Sequence, residues 1–291
     1  MEPIFDAELV LRHQLRAERR AVPGADFLMV RAAADLAERL ATVERRFPTA
    51  ATLFCRTEAA AAALAASGKV ETVIRVELDG RLLDNSPGRI AQHGRLPLEP
   101  ASLDLAVSLL ALQDLNDIPG ALIQIRRALR PDGLFLAAMA GGETLHELRA
   151  SLLAAELELT GGASPHIHPM VDVRDAGALL QRAGFALPVS DLETVKVRYQ
   201  SMFALLGDLR AMGVGNALEG RTRRPATRRL FARAAEIYAE RFAEPDGRLP
   251  ATFAFVWMSG WAPHESQPKP LTPGSAEVSL SKVLGSGRGS S

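Results

Sequence analysis

The sequence predicts an α/β fold in which a mainly parallel sheet is covered by helices on both faces. Short apolar segments at 51–55, 71–78, 103–112 and 134–139 are separated by segments with a helical pattern. Glycine and proline stand between many of them, as at Gly68, and indicate short turns. Parallel neighbours need a crossover that is usually a helix, so this alternation is typical of a parallel sheet.

Two helices are expected ahead of the sheet, within residues 1–48. The span 6–20 carries leucines among many charges. Asp26 then begins a second helix that runs to about Arg46, where Pro48 stops it. Apolar residues recur at four-residue steps in this second helix, which gives it one stripe for packing.

The following residues, 49–284, are predicted to form one sheet domain. A helix over 118–129 leads into a tight turn at 130–133 and then a buried strand. The later elements are two helices, a strand, two further helices that form an insertion at about 201–245, and a last strand, at 143–159, 172–183, 187–199, 201–212, 225–243 and 251–261. The tail 285–291 is rich in glycine and serine and is expected to be a flexible linker.

The composition is that of an ordinary globular protein, with 47% hydrophobic and 23% charged residues and a formal net charge of zero. No global field therefore attracts nucleic acid or a membrane. A single cysteine, Cys55, excludes an internal disulfide. No apolar stretch approaches the roughly 20 residues that span a bilayer, and no signal-peptide pattern is recognisable. We expect a cytoplasmic protein.

The order of elements resembles the class I methyltransferase-like fold, a Rossmann-like seven-stranded sheet with an antiparallel last strand. Here the sheet has N-terminal helices and a helical insertion before the last strand. The strand at 103–108 and the turn and strand at 129–135 resemble passages of the type 11 methyltransferase branch. The resemblance implies S-adenosylmethionine as the cofactor.

Further passages resemble a narrower group, the mitochondrial complex I assembly factors that hydroxylate an arginine, with their alphaproteobacterial relatives. The passages are 141–149, 164–169, 250–252 and 264–267, in the family's order. The resemblance extends from about residue 4 to residue 284. It implies that the protein acts on or chaperones a protein partner, such as a respiratory-complex subunit.

The first strand lacks the glycine-rich turn that this resemblance leads us to expect. In such folds the glycines let the adenosyl cofactor approach the backbone closely. Here Phe54, Arg56 and Glu58 stand at the glycine positions, and Thr52 stands at the acidic one. We expect their side chains to occupy the cofactor pocket, and positive φ angles at Arg56 and Glu58.

Glu77, at the end of the second strand, matches the family's acidic residue that holds the ribose hydroxyls. With Cys55 and Leu109 it is a candidate cofactor contact. The simpler alternatives are a solvated strand-end carboxylate for Glu77 and a small buried residue for Cys55. Binding of S-adenosylmethionine and its loss therefore both stay open.

Three side chains are candidate catalytic groups: Glu143, His166 and His264. His166 and His168 lie on a proline-flanked segment and, with a carboxylate or His264, could form an iron site for hydroxylation. Only His166 falls on the family motif. The alternative is a structural loop whose imidazoles bond backbone carbonyls, and no metal is expected.

The candidate partner-binding residues are Gly141, Gly142, Arg221, Arg223 and Arg224. The glycines precede a helix N-terminus that could take an anionic group. The arginines form a basic run without interleaved aromatics, which indicates a solvated helix start or an acidic protein surface rather than nucleic acid. We expect the passages at 141–149, 164–169 and 264–267 to meet on one face, at the C-terminal ends of the strands.

Three functions stay open from the sequence alone. The first is an assembly factor of the arginine-hydroxylase type, acting on or chaperoning a protein. The second is a pseudoenzyme scaffold that binds protein without S-adenosylmethionine, where the partner could be a second copy of the chain. The third is an active S-adenosylmethionine-dependent methyltransferase.

Overall fold

The computed structural model describes residues 2–83, 86–92, 94–223 and 225–268. Its strands are β1 (Phe47–Leu53), β2 (Val70–Glu77), β3 (Gly88–Ile90), β4 (Leu103–Leu109), β5 (Leu129–Ala140), β6 (Ala186–Tyr199) and β7 (Leu249–Trp261). They form one seven-stranded sheet in the order β3-β2-β1-β4-β5-β7-β6. β7 is antiparallel to both of its neighbours, and the other pairs are parallel. The predicted sheet is confirmed.

Helices flank the sheet on both faces. Those of the described residues are α1 (Ala7–Arg20), α2 (Phe27–Ala41), α3 (Ala59–Ala66), α4 (Ile118–Ala128), α5 (His146–Thr160), α6 (Val173–Arg182), α7 (Met202–Ala211) and α8 (Arg228–Phe242). None of them is both long and apolar enough to cross a membrane. α7 and α8 lie between β6 and β7, where the insertion is predicted. The tail 285–291 lies outside the described residues.

Two hydrophobic clusters hold the layers together. One joins the sheet to α2, α3, α5, α7 and α8, and includes the fully buried Leu36, Leu64 and Ala234. The other joins the opposite face to α4 and α6 through Leu122 and Leu180. Complete burial of one such leucine contributes about 1.5–3 kcal/mol. The sheet is therefore buried on both faces, as its continuous apolar strands require.

The boundary between α2 and β1 differs from the prediction. α2 ends at Ala41 instead of Arg46, because the Nζ of Lys69 donates to the last carbonyls of the helix at 2.7 and 3.0 Å. Pro48 lies inside β1 instead of stopping a helix. β4 pairs with β1 only from Ala50 onward, so the missing N–H of Pro48 costs no hydrogen bond on that side.

The turn predicted at 130–133 occurs as a bulge inside β5. Leu129 pairs with Leu103, and pairing resumes where Leu134 faces Leu105. Four residues of β5 therefore oppose a single residue of β4, and Asp132 within them has a φ of 63°. The strand begins earlier than predicted because the chain re-enters the same ladder after the bulge.

Candidate functional site

A cavity of about 580 Å³ lies at the C-terminal ends of the parallel strands. Its walls come from the segments that follow β1, β4 and β5, and α1 with the segment after α7 covers it. This is the edge at which open α/β sheets bind ligands. The volume is typical of pockets for small molecules.

The cover is fixed to the sheet by polar contacts at the start of α1. The Oδ1 atom of Asn116, after β4, accepts hydrogen bonds from the N–H groups of Ile4 and Phe5, each at 2.8 Å. Asp6 caps α1 by accepting from the N–H of Leu9 at 3.0 Å and pairs with Arg221 at 2.9 Å. These contacts place the inner face of α1 on the cavity.

The turn after β1 keeps a glycine-type backbone without glycine. Phe54 has a φ of 60° and Arg56 a φ of 61°, whereas Glu58 has a φ of −78°. The expected positive φ is confirmed at Arg56 and wrong at Glu58, which already begins α3. A non-glycine residue in the left-handed region costs about 1–2 kcal/mol, so the turn stores strain.

Only one of the three substituted side chains enters the cavity. Arg56 lines it, and its Nη1 atom donates to the carbonyl oxygen of Met212 at 2.7 Å. Phe54 packs into the cluster with α4 and α6, on the opposite face of the sheet. Glu58 is exposed and accepts a hydrogen bond from Ser86. The expectation that all three side chains occupy the pocket is therefore wrong for Phe54, which packs on the opposite face of the sheet, and for Glu58, which is exposed where α3 begins.

Glu77 is sealed beneath this turn and lies off the cavity wall. It has no exposed surface, its Oε1 atom accepts from the N–H of Arg56 at 2.9 Å, and Arg75 Nη2 lies 3.8 Å from the same oxygen. Burial raises the pKa of Glu77 to about 7, against the lowering effect of the Arg56 N–H and of Arg75. Its other oxygen has no hydrogen-bond partner among the described residues. The solvated carboxylate considered from the sequence is thus excluded.

Arg75 joins the turns after β1 and β2 from below. It is 5% exposed, and its guanidinium donates to the carbonyl oxygens of Arg56 and Leu82 at 3.1 Å and of Leu83 at 3.3 Å. Arg75 is not among the residues predicted from the sequence. The only available signal was a charged residue on a β-branched strand, two positions before Glu77 and hence on the same face.

Cys55 and Leu109 are joined by a hydrogen bond in the protein interior. Leu109 donates its N–H to the Sγ atom of Cys55 at 3.3 Å, and both residues are at most 1% exposed. Burial raises the pKa of the Cys55 thiol to about 12, with the nearby Glu77 charge adding to the effect. Neither residue lines the cavity, and their assignment as cofactor contacts stays a prediction.

His166 and His168 both line the cavity, and each is held by a carboxylate. His166 Nε2 lies 3.1 Å from Glu156, and His168 Nδ1 lies 3.4 Å from Asp114. His168 Nε2 also accepts from the N–H of Ala217 at 3.2 Å, so both of its ring nitrogens are engaged. Across residues 2–83, 86–92, 94–223 and 225–268, no three His, Cys, Asp or Glu side chains are grouped to hold a metal ion.

The other two catalytic candidates lie outside the cavity. Glu143 is exposed beside the start of α5, 3.9 Å from His146. His264 follows β7 at the other end of the strands from the cavity, where Gln267 donates to Asp132 at 2.9 Å. The expectation that 264–267 joins the other two passages is wrong, because the antiparallel β7 carries its end away from the cavity.

The proposed partner-binding residues differ in their surroundings. Gly141 lies so close to β7 that an added Cβ would stand 2.8 Å from Val256, whereas nothing lies within 4 Å of a Cβ at Gly142. The guanidinium of Arg221 forms an ion pair with Asp6, whereas the side chain of Arg223 is 77% exposed. Arg224 lies outside the described residues. Their role in partner binding stays a prediction.

Several cavity residues were not predicted, and they come from the cover. His13 and Gln14 project from α1, and burial lowers the pKa of His13. The segment after α7 crosses α1 so closely that a Cβ at Gly215 would lie 2.7 Å from the His13 ring. Only the path of the folded chain brings these residues together, so no local motif could have found them.

The comparisons with known proteins agree with this architecture. A family described as "Methyltransferase domain" matches residues 54–137. The YcgJ protein of Bacillus subtilis has a solved structure with a TM-score of 0.54 at 12% identity, over 80% of this chain and 99% of that one. This likeness concerns the fold alone, which is that of class I methyltransferases.

Two relatives cover most of the chain. The protein named arginine-hydroxylase NDUFAF5, mitochondrial, from Danio rerio is 40% identical over 268 residues, 89% of this chain and 83% of that protein. The Homo sapiens protein of the same name is 38% identical over 291 residues, 96% of this chain and 83% of its own length. The chain therefore belongs to the arginine-hydroxylase NDUFAF5 family.

Proposed function

We propose that this protein binds an arginine-bearing segment of a protein partner at the cavity, without using S-adenosylmethionine. The observation that carries the proposal is that the cavity is open, while the turn after β1 is bonded to Glu77 through the N–H of Arg56. The relatives' name supplies the arginine, and a respiratory-complex subunit is the partner that the family resemblance suggests. The proposal concerns binding and contains no oxidation step.

The residues at the ends of β1 and β2 do not fit S-adenosylmethionine. The ribose would need Glu77 as an acceptor, but this carboxylate is fully buried and lies off the cavity wall, so its Oε2 atom, which has no partner among the described residues, is out of reach of a ligand in the cavity. No step of the proposed function therefore passes through this cofactor.

The rim of the cavity suits an incoming guanidinium. Two exposed carboxylates, Glu18 and Asp26, line the rim against one exposed arginine, Arg210. An arginine side chain presents five N–H donors and is bound best by carboxylates, in charge-assisted hydrogen bonds. One added positive charge would balance this rim.

A peptide pair tests the proposal. We expect a short arginine-containing peptide to bind about tenfold more tightly than the same peptide with citrulline, which keeps the shape and loses the charge. The double variant Glu18→Gln, Asp26→Asn should remove the difference, while Glu71→Gln, on the exposed start of β2, should preserve it. Equal binding of the two peptides, measured by calorimetry, would contradict the proposal.

The wider docking face is proposed to include the exposed Arg223 beside the cavity cover. Arg223→Glu should weaken capture of the protein partner from a native extract while the free energy of unfolding stays within about 0.5 kcal/mol. Capture that survives this substitution would exclude Arg223 from the face. Self-association, checked by sedimentation, would identify a second copy of the chain as the partner.

Two finer points belong to the same proposal. We place the protein in the cytoplasm, and cell fractionation with the intact chain tests this location. The alternative, an active S-adenosylmethionine-dependent methyltransferase, is favoured by the methyltransferase-domain match over residues 54–137. Titration with the cofactor separates it from the proposed function.

A further inference from the structure

The cavity has an apolar half that an arginine side chain does not explain. Its walls there come from α5, α8 and β7 and consist of Leu148, Leu152, Phe231, Phe253 and Phe255. Protein interiors contain few voids larger than a water molecule, because unfilled apolar walls lose their packing contacts. An apolar half of this kind calls for an apolar occupant.

The polar half lies over a different part of the sheet. It is built by the segments after β1 and β4 and by α1, through Arg56, Thr57, Gln113, His13 and Gln14. β1 and β4 are adjacent in the sheet, and β5 and β7 lie beyond them. Polarity therefore changes along the edge of the sheet, as in a site for a ligand with a polar head and an apolar chain.

Strained backbone positions present side chains to this cavity. Arg56, Leu110 and Leu145 follow β1, β4 and β5, line the cavity, and have φ angles of 61°, 51° and 55°. Such non-glycine conformations are costly and concentrate at ligand-binding sites, where the surrounding structure holds them. Arg56 and Leu110 thus lie at the polar half of the cavity, and Leu145 lies at the apolar half.

Arg56 supplies an unpaired positive charge at the polar half. Among the described residues, the guanidinium of Arg56 donates a hydrogen bond only to the backbone carbonyl oxygen of Met212. No described carboxylate lies within 4.0 Å of this guanidinium. Asp114, which also lines the cavity, is paired with His168 instead. A guanidinium has donors for a bidentate carboxylate, so the head group that fits here is an anion.

We propose that the cavity binds a single-chain anionic amphipath of the fatty-acid class. Its carboxylate pairs with Arg56, and its hydrocarbon chain lies between Leu148 and Phe255. The ligand shares the cavity with the proposed arginine-binding rim but does not depend on a protein partner. Bound inside, its charge would complement an arginine held at the rim.

A dansyl-labelled undecanoic acid is a suitable probe, with its methyl ester as the matched neutral ligand. We expect fluorescence titration to give binding of the acid at least about tenfold tighter than that of the ester, since a charge-assisted pair is lost. Arg56→Gln should abolish this preference. Leu148→Trp, which fills the apolar half, should abolish binding, while Ile123→Trp on the exposed face of α4 should not.

The outcomes separate the two proposals. Absence of binding by the acid, or equal binding of acid and ester, would overturn the amphipath site even if the arginine peptide still binds. Acid binding that persists in Leu148→Trp, with circular dichroism showing a folded protein, would place the probe elsewhere and would also overturn it. The ester comparison uses the unaltered protein, so it decides the question even where a variant fails to fold.

Discussion

Replacement of Glu77 by glutamine should make the protein more stable at neutral and alkaline pH. The glutamine keeps an Oε1 acceptor for the N–H of Arg56, at 2.9 Å in the parent, and removes a charge from a fully buried site. Burial raises the pKa of Glu77 to about 7 from its ordinary 4.5. The folded protein therefore holds this proton more tightly than the unfolded chain does.

The magnitude follows from proton linkage. A rise of about 2.5 pH units corresponds to about 3 kcal/mol, at 1.36 kcal/mol per unit. The stabilisation that comes from this tighter proton binding is fully present below pH 4.5 and is lost as the pH rises through 7. The variant and the parent should thus be about equally stable at pH 4.5, and the variant should lead by about 3 kcal/mol at pH 8.

Urea denaturation followed by tryptophan fluorescence at several pH values measures this difference. Glu71→Gln is the control, since it makes the same chemical change on the exposed start of the same strand. Its curve should run parallel to that of the parent. The reasoning is refuted if the Glu77→Gln curve also runs parallel to the parent between pH 4.5 and pH 8.

Three further predictions follow from the same region and from α5. Cys55 should not react with a thiol reagent at pH 8 until the protein unfolds, because its thiol is buried with a pKa raised to about 12; rapid reaction of folded protein would contradict this. Arg56→Gly should be about 1 kcal/mol more stable than Arg56→Ala in urea, since both lose the side chain and only glycine relieves the positive φ; equal stabilities would exclude strain. Glu147→Ala should cost about 2–3 kcal/mol by leaving the buried N–H of Thr252 without its acceptor, whereas exposed Glu143→Ala should change stability by less than about 0.5 kcal/mol; similar losses would be contrary to the structure.

The fold was predictable because burial on both faces of a parallel sheet leaves continuous apolar runs. The run at β4, for example, is buried along nearly its whole length. Element ends were less predictable, since partners distant in the sequence set them. Lys69, in the turn between α3 and β2, ends α2, and the limited length of β4 pairing admits Pro48 into β1.

Part of the candidate site was predictable, from motifs and from the proline-flanked segment that carries His166 and His168. The missing glycines identified Arg56, and the family resemblance identified Glu77, but which side chains face the cavity depends on the turn's φ angles. His13 and Gly215 meet only because the chain after α7 crosses α1. The error at His264 was avoidable, because an antiparallel last strand must end at the edge opposite the cavity.

Calorimetric titration with S-adenosylmethionine and with its demethylated product tests the central claim most directly. The closed turn predicts no measurable binding to the parent protein, and none to a variant with glycine at Phe54, Arg56 and Glu58, because Glu77 stays sealed beneath the turn. Arginine-peptide binding on the same preparation shows that the cavity is intact. A micromolar dissociation constant for either cofactor form on the parent protein would contradict the account.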